Sequence, residues 1–85
     1  MTIRYSKAAV KAIESMNSAT KQRVKAGIEG LTQKPPLGDI KRLQGYQDYY
    51  RLRVGKYRII YRFLVDNSVE VLYIIDIGSR GDIYK

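Results

Sequence analysis

Tyr49-Tyr50-Arg51-Leu52-Arg53-Val54-Gly55-Lys56-Tyr57-Arg58-Ile59-Ile60-Tyr61 alternates its side chains with a period of two on either side of a Gly-Lys pair. That period is the mark of half-buried strands, and the composition, rich in Tyr, Ile and Val, agrees with it. Gly at the first place of a two-residue loop suits a type II′ hairpin turn. Two strands are therefore expected, over residues 49–54 and 57–65. Their pairing is fixed by the short loop: Val54 opposite Tyr57, Arg53 opposite Arg58, Leu52 opposite Ile59, Arg51 opposite Ile60 and Tyr49 opposite Arg62. Alternate residues of a strand share a face. Leu52, Val54, Ile59, Tyr61 and Phe63 fall on one side, and Arg51, Arg53, Arg58 and Arg62 on the other.

Downstream, Asp66-Asn67-Ser68 reads as a second turn and residues 69–77 as a further strand, apolar at nearly every position and so expected in the middle of a sheet. Gly78 closes it, and 79–85 is a short polar tail. Upstream, residues 1–5 suit a short strand. Ser6 is placed to cap a helix whose apolar stripe is Ala9, Val10, Ile13 and Met16. Asn17-Ser18 caps a second helix over 19–34, with Val24, Ile28 and Leu31 as its apolar face. Gly27 and Gly30 are read as close packing against the first helix, and Pro35-Pro36 as its stop. A loop over 37–48 leads into the hairpin. The expected fold is α+β, an N-terminal helical hairpin on one face of an antiparallel sheet of about four strands, with residues 1–85 as one domain.

Composition narrows the chemistry. The 85 residues contain no Cys and no His, with sixteen Lys+Arg against eight Asp+Glu and a net charge of +8. Thiol nucleophiles, disulfides, imidazole acid–base catalysis and His or Cys metal sites are excluded by inventory. The acidic residues, Glu14, Glu29, Glu70, Asp39, Asp48, Asp66, Asp76 and Asp82, are scattered without the spacing of a two-metal clamp. Neither a metal nor another cofactor is expected. No apolar run approaches the ~20 residues of a bilayer span, and no charged-then-apolar leader opens the chain, so a cytoplasmic protein without a membrane partner is expected. The excess positive charge points to a polyanion or an acidic protein.

The arginines make that specific. Like charges directly opposite across strands are destabilising, by on the order of 1 kcal/mol in water at a separation of roughly 5 Å. Arginine on an open strand face is often only a solvated residue. Here, though, Arg51, Arg53, Arg58 and Arg62 carry one sign, and tyrosines at 49, 50, 57 and 61 interleave them. Guanidinium groups bind phosphate oxygens and aromatic rings stack on bases, the combination that single-stranded nucleic acid requires. Tyr57 and Tyr61 suit the core better.

Leu43-Gln44-Gly45, the run from Tyr50 to Tyr61, and Ile77-Gly78-Ser79-Arg80 followed by Ile83-Tyr84 resemble the RelE toxins of toxin–antitoxin pairs over nearly the whole chain. The resemblance implies a ribosome-dependent, metal-independent endoribonuclease that cuts messenger RNA in the ribosomal A site and is neutralised by an acidic RelB-like antitoxin. It places catalytic groups at Arg51, Arg53, Arg58, Arg80 and Tyr84. Lys41, Arg42, Lys56, Arg62 and Tyr49 are the further residues expected to contact RNA. Arg51 and Arg53 stand where the best-known members have lysine, and arginine does not give up a proton at working pH. Proton transfer then falls to Tyr84, another Tyr near the cluster, a carboxylate such as Asp82, or a ribosomal group. Two other functions fit the same residues: a ParE-like inhibitor of DNA gyrase, and an RNA-binding module without chemistry.

Overall fold

The computed structural model describes residues 1–45 and 48–79. Five strands and two helices follow in the order β1 (Thr2–Tyr5), α1 (Lys7–Glu14), α2 (Ser18–Gly30), β2 (Asp39–Arg42), β3 (Tyr50–Val54), β4 (Tyr57–Asp66) and β5 (Val69–Gly78). The sheet runs β1-β5-β4-β3-β2. Both caps form as their residue types require. The Ser6 hydroxyl accepts from the Ala9 N–H and the Asn17 side chain from the Thr20 N–H, each satisfying a donor of the first helical turn.

The hairpin pairing matches the arithmetic: Val54 faces Tyr57, Arg53 faces Arg58, Leu52 faces Ile59 and Arg51 faces Ile60. Gly55 takes a positive φ of 59°, as the first position of a type II′ turn demands. At the next turn Asn67 and Ser68 both have positive φ, the type I′ geometry that matches strand twist. The helices cover one face of the sheet. Ala9, Ile13 and Met16 of the α1 region and Val24, Ile28 and Leu31 of the α2 region pack on Leu52, Ile59, Tyr61, Leu72, Ile74 and Ile77.

Five expectations are corrected. The sheet has five strands and is mixed, because β1 lies parallel beside β5. That pairing is what makes β5 internal. The 37–48 segment is not all loop: Asp39–Arg42 adds antiparallel to β3 as an edge strand, with Ile40 opposite Leu52. It was hidden because Ile40 is its one apolar residue. Helix α2 ends at Gly30, short of the prolines, and Gly27 packs on the sheet and not on α1. A Cβ at Gly27 would lie 2.7 Å from Val54 Cγ2, so this glycine lets helix and hairpin approach. Finally, Val10 is 42% exposed and leaves the core stripe.

One irregularity shapes the outer face. Ile60 pairs with Asp76 but Tyr61 pairs with Ile74, so Ile75 is an extra residue in β5. A bulge of this kind changes which way the following side chains point. Strict alternation from Leu72 and Ile74 would send Asp76 into the core. With the bulge, Ile77 takes the core position and Asp76 turns outward. Ser6 holds the bulge in place: its N–H donates to the Ile74 carbonyl at 2.9 Å and its hydroxyl to the Ile75 carbonyl.

Candidate nucleic-acid interface

The face opposite the helices is built in cross-strand rows. Asp39, Arg53, Arg58 and Gly78 form one row, and Lys41, Arg51, Ile60 and Asp76 the next. Arg62, Tyr73 and Arg4 form a third across β4, β5 and β1. The rows follow from alternation, because residues 58, 60 and 62 of β4 share a side. Arg53 and Arg58 are direct partners one step from the turn. In a two-residue hairpin the closing pair carries the hydrogen bonds, so the next pair is of the kind whose side chains stand nearer, with Cα atoms about 4.5 Å apart. Gly78, on the far side of Arg58, contributes no side chain to the row.

The arginines differ in their surroundings. The Arg51 side chain is only 16% exposed, and its Nη2 donates to Asp39 Oδ1 at 3.1 Å. Asp39 therefore breaks the single sign expected for this face, and the reason is the unforeseen strand β2, which carries it there. Arg62 lies over the Tyr49 ring with Cζ 5.2 Å from the centroid, a cation–π contact. The pairing of Tyr49 with Arg62 expected from the register is thus met by stacking. Among the described residues, Arg53, Arg58 and Arg62 have no carboxylate within ion-pair distance. Among the described residues, the Nε atoms of Arg51 and Arg62 are buried without an acceptor. Buried donors without partners are uncommon in proteins.

The remaining site residues divide by position. Lys41 shares the arginine side of β2, whereas Arg42 shares the register of Tyr50 and belongs to the helix side. Lys56 sits in the turn, its Nζ 5.6 Å from the Tyr57 ring centroid. Arg80 and Tyr84, with Asp82, lie outside the described residues. Tyr61 is on the core face, 1% exposed and stacked on Tyr50 at 5.6 Å between centroids. Burial, with a smaller contribution from Tyr50, pushes its phenol up to about 12, so it stays protonated and accepts no proton at neutral pH.

Two groups on the face were not singled out from sequence. Tyr73, half-buried, stands beside Arg62 on β5. Asp76, also half-buried, accepts from the Ile77 N–H at 2.9 Å through Oδ1 and has no cation partner among the described residues. Tyr73 was readable from alternation in β5, but Asp76 was not, since nothing in the sequence marks the bulge. Among the described residues, no three acidic side chains gather as a metal site would require. No helix is long and apolar enough to cross a membrane among them.

Comparison with known proteins places the chain in a family. Residues 3–84 match the family model described as the ParE toxin of the type II toxin–antitoxin system parDE. Toxin RelE3 of Methanocaldococcus jannaschii is 36% identical over 63 residues, 69% of this chain and 72% of that protein. The chain is a RelE-type toxin of the RelE/ParE superfamily. Its fold agrees with the solved archaeal RelE–RelB complex of Pyrococcus horikoshii, at a TM-score of 0.74 and 30% identity, covering 95% of this chain and 96% of that one. The RelB–RelE antitoxin–toxin complex of Methanococcus jannaschii matches at 0.70 and 28%, covering 95% and 94%. The arginine rows are therefore the outer sheet face of a type II toxin of the RelE/ParE family.

Proposed function

We propose that this RelE-type toxin is a metal-independent endoribonuclease that cuts messenger RNA on the ribosome, with the Arg53–Arg58 row holding the scissile phosphate. The observation that carries the reading is that row: two permanent cations, register partners, with no carboxylate partner among the described residues. RNA supplies its own nucleophile. Its 2′-oxygen attacks the adjacent phosphorus, the bond to the 5′-oxygen breaks, and the products are a 2′,3′-cyclic phosphate and a 5′-hydroxyl. Charge accumulates on the phosphoryl oxygens in the transition state, and fixed guanidinium donors stabilise it there. Arg58 and Arg53 fill that role, with Arg51 and Arg62 on the same face and Lys41 and Lys56 along the RNA backbone; Arg80 is the further cation that the family resemblance assigns to the chemistry.

The proton leaving the 2′-hydroxyl needs an acceptor, and arginine cannot be one. Asp76 is a carboxylate that the bulge turns onto this face, and among the described residues its Oδ2 has no partner. Tyr84 is the candidate donor to the departing 5′-oxygen. So small a face cannot hold RNA in line by itself, and the ribosome provides the alignment. The RelE–RelB complexes of the archaeal relatives support an antitoxin as its partner, and the net charge of +8 favours an acidic one.

A gyrase-directed action is the second reading, favoured by the ParE description of the matching family model. One experiment separates them. Purified toxin is added to ribosomes stalled on a defined message, and the RNA ends are mapped; in parallel, gyrase supercoiling is measured. Cuts within the A-site codon with supercoiling unaffected support the ribonuclease. Intact message with inhibited supercoiling overturns it.

A further inference from the structure

The tip of the β3–β4 hairpin carries a second basic feature on the side away from the arginine rows. Thr20, Arg23 and Val24 of α2 face Val54, Lys56 and Tyr57 of the hairpin across a cleft of about 140 Å³. The helix brings Thr20, Arg23 and Val24 to one side because residues three and four apart are neighbours on its surface. Gly55 makes the approach possible: a Cβ there would lie 3.2 Å from Arg23 Nη2, so the guanidinium rests against the turn. Lys56 is held over the Tyr57 ring from the other side. Among the described residues neither cation has a carboxylate partner. Two like charges thus line one small opening, together with Thr20, Val24 and Val54.

Size limits the ligand. Pockets for whole small molecules run to ~300–1,000 Å³. This cleft takes a single compact anionic group whose remainder lies outside. Position limits it further, since Val54 and Tyr57 are chain neighbours of Arg53 and Arg58. A ligand that crosses the hairpin tip passes from the arginine row into the cleft.

We propose that the cleft binds one backbone phosphate of RNA, between Arg23 and Lys56, at a site separate from the arginine rows. This rests on the reading of the arginine face as an RNA surface. An acidic peptide is disfavoured because the cleft cations continue the arginine row around the hairpin tip, a spacing that matches charges repeated at regular intervals along a flexible backbone.

The test uses the full chain and a fluorescent 12-nucleotide oligouridylate methylated at its 2′-oxygens, so that it binds without being cut. Affinity is measured between 50 and 200 mM salt for wild type, Arg23→Gln, Lys56→Gln and, as a control of equal charge change on the same helix, Lys25→Gln. Removing one contacted phosphate lowers the slope of log K against log salt by about 0.7 for single strands. Arg23→Gln and Lys56→Gln are expected to show that drop, with several-fold weaker binding, and Lys25→Gln less than half of it. An Arg23→Gln protein indistinguishable from Lys25→Gln overturns the proposal. So does an Arg23→Gln protein that loses affinity for a glutamate-rich peptide but keeps it for the oligouridylate. The larger reading fails separately: message on ribosomes then stays intact with wild-type toxin, whatever the cleft variants bind.

Discussion

Arg53 and Arg58 face each other across the β3–β4 hairpin, one step from the turn, with no carboxylate partner for either among the described residues. A sheet gains nothing from this pair. Opposed like charges weaken cross-strand pairing by roughly 0.2–1 kcal/mol. The arrangement makes physical sense for a surface that is completed by an anion.

Arg53→Ala is accordingly expected to hold or raise stability while weakening RNA binding. For a domain of this size, a gain of 1 kcal/mol raises Tm by about 4–8 °C. Thermal unfolding and oligouridylate titration check both halves. A fall of several degrees would show Arg53 to be a structural residue.

Asp39→Asn removes the 3.1 Å partner of Arg51. The carboxylate is 57% exposed, so the pair contributes no more than about 1 kcal/mol and the fold is expected to be nearly unaffected. Freed of its carboxylate, Arg51 becomes available to phosphate. RNA affinity is expected to rise several-fold at low salt. Weaker binding would mean that Asp39 instead aims Arg51 at the ligand.

Asp76→Asn keeps the acceptor for the Ile77 N–H and removes the ability to take a proton. A positioned general base contributes about 10²–10⁴-fold. Cleavage on the ribosome is expected to fall by about that factor, with Tm unchanged. Wild-type rates would remove Asp76 from the chemistry.

Tyr61 ties stability to alkaline pH. Its pKa is raised to about 12 in the folded state against 10.0 for the free group, so the folded chain holds its proton more tightly. The associated stability is complete below pH 10 and is lost as pH climbs toward 12. The loss amounts to about 2 kcal/mol. Denaturant titrations of wild type and Tyr61→Phe across that window should differ in slope, the variant losing less.

The hairpin and its arginine side were legible because a two-residue loop leaves one register and strict alternation then assigns every face. The helix starts at Ser6 and Asn17 were legible for a similar reason, since a cap is a local hydrogen bond. What escaped depends on contacts distant in sequence. The strand Asp39–Arg42 exists because β3 offers it an edge, and it delivers the carboxylate that ties Arg51. The parallel pairing of β1 with β5 joins residues some seventy positions apart. The bulge at Ile75 is held by Ser6, again from the other end of the chain, and it alone decides that Asp76 faces outward. Alternation in β4 assigned Phe63 to the helix side, where its ring meets Tyr61 edge-on, yet it is 36% exposed.

The central claim is that the Arg53–Arg58 row stabilises a phosphate under attack. Its most direct test is the single-turnover cleavage rate of message bound to ribosomes, compared between wild type and Arg58→Ala at matched, saturating toxin. Loss of one such donor is expected to slow cleavage by about 10²–10³-fold while the variant melts at or above the wild-type temperature. A folded Arg58→Ala toxin that cuts at the wild-type rate would contradict it.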